Sequence, residues 1–146
     1  MATMDELYQN VILEHNRSPR NYRVMEDASG RGEGNNPLCG DQIAVWLKIQ
    51  DGIIQDASFQ GSGCAISKAS ASLMTAAIKG KSREEALRLF DRFHGLVTGR
   101  APIDATETLG KLAVFSGVSA YPTRVKCASL PWHALRSALS PDTPTT

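Results

Sequence analysis

A chain of 146 residues, 42% hydrophobic and 21% charged, has the size and make-up of one globular domain with its own core. Its formal net charge of +1 gives no field that would draw nucleic acid or an anionic membrane surface, so neither is expected as a partner. No apolar run approaches the length of a membrane span, and MATMDELYQNVILEHN has the order of neither a secretory signal nor a transit peptide, so the expected location is cytoplasmic.

Residues 3–15 are expected to form an amphipathic helix. Met4, Leu7, Tyr8, Val11 and Ile12 recur at helical spacing, Thr3 and Glu6 have capping-box spacing, and Pro19 marks the stop. Residues 20–38 are polar, with Gly30, Gly32 and Gly34 alternating, and read as a loop or a short edge strand. Such glycines can line a phosphate cradle, but no strand-then-helix context surrounds them. QIAVWLKIQ, 42–50, alternates cleanly, with Ile43, Val45, Leu47 and Ile49 on one face and Trp46 among the polar residues of the other. Asp51-Gly52 is a hairpin turn, and 53–60 is the returning strand. Cys39 and Asp41 precede the first strand and Cys64 follows the second. Antiparallel pairing therefore brings these three residues back together.

After Cys64, a helix rich in Ala and Ser has Leu73, Met74, Ala77 and Ile78 on one face and Gly80 at its C-cap. A second helix, 82–95, opens on a Ser82–Glu85 capping box and is expected to turn Leu87, Phe90 and Phe93 inward. Residues 95–106 read as loop and 107–118 as a short helix. A last amphipathic helix over 121–139 carries Val125, Ala128, Trp132, Leu135 and Leu139, with a kink or break expected at Pro131. The order of helix, short sheet and helices predicts an α+β fold, with a single domain over 1–140 and a frayed tail over 141–146.

Three cysteines, at 39, 64 and 127, make a poor disulfide framework. With Asp41 they supply the four thiolate and carboxylate donors that zinc takes, although no CxxC pair is present and the spacing is not that of a zinc finger. Cys64 opens a helix and Cys127 follows Arg124 and Lys126, settings that favour thiolates. Buried inert thiols are the other reading, and pattern alone leaves both open. His15, His94 and His133 are scattered and read as structural. SKASAS, with Lys68, could mimic a serine nucleophile, but no partner pattern supports it and close helix packing accounts for the small residues.

NNPLCGDQIAVWLKI, FQGSGCAISKASASLMT and RVKCASLPWHAL resemble the three signature segments of the IscU/SufU family of sulfur-transfer and iron–sulfur assembly proteins. The resemblance spans nearly the whole chain. It implies a small antiparallel sheet covered on one side by helices, with the metal site at one exposed end. Carried over by motif, Cys39, Asp41, Cys64 and Cys127 match the metal-binding positions, and zinc is the implied metal. Lys126 stands where IscU-type members have a histidine, and residues 93–124 resemble an insertion typical of the SufU branch.

That branch implies a zinc-dependent sulfurtransferase, partner and activator of a pyridoxal-phosphate-dependent, SufS-type cysteine desulfurase, with SufBCD as the downstream scaffold. In the family mechanism a desulfurase histidine replaces one zinc ligand and frees the thiolate matching Cys39, which accepts the persulfide sulfur. Asp41, the hardest donor toward zinc, is a rival for the ligand that leaves. Arg124 is expected to anchor the anionic site or dock the desulfurase, and Lys126 to lie at the surface. Pro131 departs from the residue expected in the last helix. A scaffold assembling a [2Fe–2S] cluster on the same residues is the main alternative. A hydrolytic zinc enzyme is disfavoured, because four protein ligands leave no water position.

Overall fold

The computed structural model describes residues 4–36, 40–99, 112, 115, 118 and 121–139. In chain order these form α1 (Met4–Arg17), β1 (Gly30–Asn36), β2 (Asp41–Gln50), β3 (Ile53–Ser62), α2 (Ala65–Ile78), α3 (Arg83–Val97) and α4 (Pro122–Leu139). The strands make one antiparallel sheet in the order β1-β2-β3. No helix among the described residues is long and apolar enough to cross a membrane.

The β2–β3 hairpin follows directly from local chemistry. Asp51 and Gly52 both take positive φ, 55° and 78°, the pair of left-handed residues that a two-residue turn of matching twist requires. The turn pairs Gln50 with Ile53 and Ile49 with Ile54, and a one-residue register shift between Ile49 and Lys48 then sets Val45 opposite Phe59 and Leu47 opposite Ala57, four buried residues. Gln42, Lys48 and Gln50 point to the open face, where Trp46 lies half-buried with the Arg31 guanidinium 5.7 Å from its ring centre.

Residues 30–36 form the edge strand β1, and the three glycines have a packing reason. A Cβ at Gly32 would fall 2.0 Å from the Ala134 carbonyl oxygen, one at Gly30 2.5 Å from that of Ala138, and one at Gly34 3.0 Å from Leu130. Two strand residues advance about 6.7 Å and four helical residues about 6.0 Å, so the glycines meet successive turns of α4 in step. They form a groove for a helix, and nothing about them resembles a phosphate cradle.

The helices cover one face of the sheet: α4 lies against β1 and β2, α2 against β3 and α1, and α3 against α4. In α4, Ala128, Trp132, Leu135 and Leu139 are buried as their spacing predicts. Trp132 stacks on Phe93 at 4.6 Å between centroids, and Phe115 meets Phe93 edge-on at 5.6 Å. Such ring pairs contribute about 0.5–1.5 kcal/mol each beyond the area they bury. The helix continues through Pro131 without the expected break.

Other expectations are met or corrected in detail. Both halves of the Ser82–Glu85 capping box are present, and the Ser82 hydrogen bonds hold the Glu85 carboxyl below its ordinary value. Leu87, expected inward, is 37% exposed. The buried stripe of α3 instead runs through Ala86, Leu89, Phe90, Phe93, Leu96 and Val97. Counting in threes from Phe93 drifts off a 3.6-residue period and selects the wrong neighbour. Thr3, and with it the first capping box, lies outside the described residues, as do the tail and most of 100–120. Of that last stretch Leu112, Phe115 and Val118 are described, and all three are buried in the core.

Candidate metal centre

Asp41 opens β2, Cys64 is the extended N-cap of α2, and Cys127 sits in the second turn of α4. One donor atom from each lies within 4.8 Å of the others. Cys39, the fourth expected donor, lies outside the described residues.

The hairpin register creates this meeting. Gln42 pairs with Ser62, so β3 leaves the sheet beside Asp41. The two glycines of Gly61-Ser62-Gly63-Cys64 make the approach sterically feasible. A Cβ at Gly61 would fall 2.0 Å from the Gln42 carbonyl oxygen, and one at Gly63 2.7 Å from Asp41 Oδ1. On the other side of Asp41, Gly40 takes φ +73° and donates its N–H to the Asn36 carbonyl at 2.8 Å, which closes the passage from β1 into β2.

Asp41 is 1% exposed, and a carboxylate so buried requires donors. Oδ1 accepts the Cys64 N–H at 3.0 Å and Oδ2 accepts the Ser67 hydroxyl at 2.8 Å. Oδ2 also lies 3.7 Å from Cys64 Sγ. The carboxylate thus stands at the N-terminal end of α2, where the helix dipole favours negative charge. Cys127 is 4% exposed and Cys64 half-buried.

Ser67 was not singled out by sequence reasoning. It is fully buried, and its Oγ also lies 3.0 Å from the Cys127 carbonyl oxygen and 3.7 Å from Cys64 Sγ. It therefore touches all three donor residues. The only local signal was its place one turn after Cys64, within a stretch whose small residues already had a packing explanation.

The remaining serines of that stretch bind other elements. Ser70 Oγ donates to the Ala128 carbonyl at 2.5 Å and accepts from Trp132 Nε1 at 3.1 Å. Ser72 Oγ accepts the Arg20 N–H at 2.7 Å and lies 2.6 Å from His15 Nδ1. His15 is therefore structural, as expected, through a buried contact with α2. Lys68 lies over the Tyr22 ring at 5.5 Å.

His94 and His133 pair across Phe90 on the outer surface, with ring centroids 6.2 Å apart. Desolvation there, then the neighbouring His94 and Arg136, hold the His133 imidazole below its ordinary pKa. Arg124 is exposed at the start of α4, its guanidinium 4.5 Å from the Tyr121 ring centre. Lys126 is exposed beside Cys127.

Two thiols and a carboxylate are the donor types of zinc sites, and the three residues fit a metal of that class. Fold and site together define a small α+β domain that gathers thiolates and a carboxylate at one end of a helix-covered sheet. The family described as NifU-like N-terminal domain matches residues 7–128, and the chain belongs to it, among the SufU/IscU proteins of iron–sulfur cluster assembly.

It is 44% identical over 139 residues to the zinc-dependent sulfurtransferase SufU of Bacillus subtilis, covering 95% of this chain and 93% of that protein. It is 38% identical over 139 residues to the iron–sulfur cluster assembly scaffold protein IscU of Streptococcus pyogenes, covering 95% and 86%. Among solved structures, a SUF-system iron–sulfur cluster assembly scaffold protein from Fervidobacterium islandicum superposes with a TM-score of 0.84 at 34% identity, covering 91% and 96%.

Proposed function

We propose that the protein is a zinc-dependent sulfurtransferase that accepts persulfide sulfur from a SufS-type cysteine desulfurase and passes it to a SufBCD scaffold in the cytoplasm. The observation that carries this reading is the meeting of Asp41, Cys64 and Cys127 within 4.8 Å, in a chain 44% identical to a zinc-dependent sulfurtransferase. Cys39, on the connection between β1 and β2, is the proposed fourth ligand and the sulfur acceptor. The working unit is residues 1–140.

Zinc bound to these residues would hold their thiolates deprotonated near neutral pH and, being redox-inert, guard them against oxidation. The chain's own chemistry is nucleophilic. The Cys39 thiolate attacks the terminal sulfur of the desulfurase persulfide. One S–S bond forms at Cys39, the S–S bond on the desulfurase breaks, and its cysteine leaves as a thiolate, so no external oxidant is consumed. Asp41, Cys64 and Cys127 stay in place during this exchange. Arg124, exposed three residues before Cys127, supplies positive charge beside an anionic site and a docking contact for the desulfurase.

The test is metal content and visible spectrum of protein purified without added metal. About one zinc per chain and no colour are expected for a closed four-ligand site. Iron, sulfide and a brown protein would replace this reading with the [2Fe–2S] scaffold. With zinc established, wild type should raise desulfurase turnover and Cys39→Ala should not.

A further inference from the structure

Pro131 occupies an interior position of α4, yet the helix does not break. In an uninterrupted helix the Cys127 carbonyl would accept the N–H of the residue four places on, and that residue is Pro131, which has none. At this carbonyl the structure places the Ser67 hydroxyl, at 3.0 Å. Ser67 Oγ also lies 2.8 Å from Asp41 Oδ2. A serine hydroxyl has one proton, and here it faces two strong acceptors. Ser67 is fully buried, so water does not compete for either contact.

The Asp41 carboxylate is thereby fixed at both oxygens, by the Cys64 N–H and by Ser67. Fixing both sets the plane of the carboxylate relative to the two thiols. Through one side chain, β2, α2 and α4 are joined at the donor atoms.

We propose that Ser67 is the positioning residue of the donor cluster, its one hydroxyl proton shared between Asp41 Oδ2 and the Cys127 carbonyl so that Asp41 is aimed at Cys64 and Cys127. The proposal rests on the metal-site reading above. It adds a residue that orients a ligand.

The experiment titrates purified, metal-stripped protein with zinc against a chromophoric chelator, and with cobalt followed by absorption. Loss of a group that orients a metal ligand lowers affinity about 10–100-fold. Ser67→Ala should show that loss while remaining folded by circular dichroism. Its cobalt form should keep the thiolate charge-transfer band and shift its d–d bands, because the cysteines remain and the carboxylate is no longer held. Ser67→Thr, which retains a hydroxyl, should recover most of the affinity.

An unchanged affinity and cobalt spectrum in Ser67→Ala would overturn the proposal. So would a folded Ser67→Thr as weak as Ser67→Ala. Wild-type protein that takes up neither zinc nor cobalt would instead sink the metal-site reading itself, a result distinct from the others.

Discussion

The two halves of α4 are held by different physics. Its C-terminal half lies in the groove left by Gly30, Gly32 and Gly34, where strand backbone and helix backbone approach without side chains between them. Its N-terminal half is held to α2 by hydroxyls, Ser67 on the Cys127 carbonyl and Ser70 on that of Ala128. Steric fit sets a distance and tolerates no added atom. Hydrogen bonds set a direction, and their energy is small enough to be exchanged for another partner. Cys127, the donor residue of α4, lies on the hydrogen-bonded half.

The comparison is broken most severely at the groove. Gly32→Ala puts a carbon 2.0 Å from the Ala134 carbonyl oxygen. The expected loss is about 3 kcal/mol of unfolding free energy by urea denaturation, since backbone rather than a flexible side chain must move. A loss under about 0.5 kcal/mol, the range of surface substitutions, would show that the groove does not seat the helix. Ser70→Ala tests the other half. It removes the donor to Ala128 and the acceptor of the buried Trp132 Nε1, and should cost about 2 kcal/mol.

The smallest effect is expected on the outer surface of α4, where neither kind of packing acts. The His133 pKa is held below the ordinary 6.5, so the unfolded chain binds its proton more readily than the folded one. The contribution is fully present above the ordinary value and fades as pH falls through the depressed one. His133→Gln should therefore flatten the decline in melting temperature between about pH 7.5 and about pH 5.5. An identical decline in both proteins would show that this imidazole titrates alike in the folded and unfolded chains.

What could be read from the sequence was what neighbours in the chain decide. The alternation of 42–50, the Asp51-Gly52 turn and the Ser82–Glu85 cap are local, and each appears as expected. The Asp41–Cys64 meeting was also legible, because a tight turn joins two strands of equal length and so returns the second to the start of the first, while the one-residue shift between Ile49 and Lys48 had no signal. The glycines of β1 were ambiguous because their reason, α4, lies far along the chain. At Pro131 a break was one of the two expected outcomes, and it does not occur, for the same cause. The rule that proline breaks a helix counts the lost N–H, while the carbonyl it leaves here meets a serine 60 residues away. Cys39, the acceptor assigned from motif, lies outside the described residues, so that assignment rests on the sequence.

The seating of α4 in the groove of β1 has a consequence for biosynthesis. Strands β1 to β3 leave the ribosome early, with one apolar face uncovered. The element that covers β1 is the last of the described elements to be made. During that interval Cys127, one of the three donor residues, has yet to be translated. Closing the core and completing the donor set are then a single event, so a nascent chain cannot capture metal in a finished site before its fold is committed.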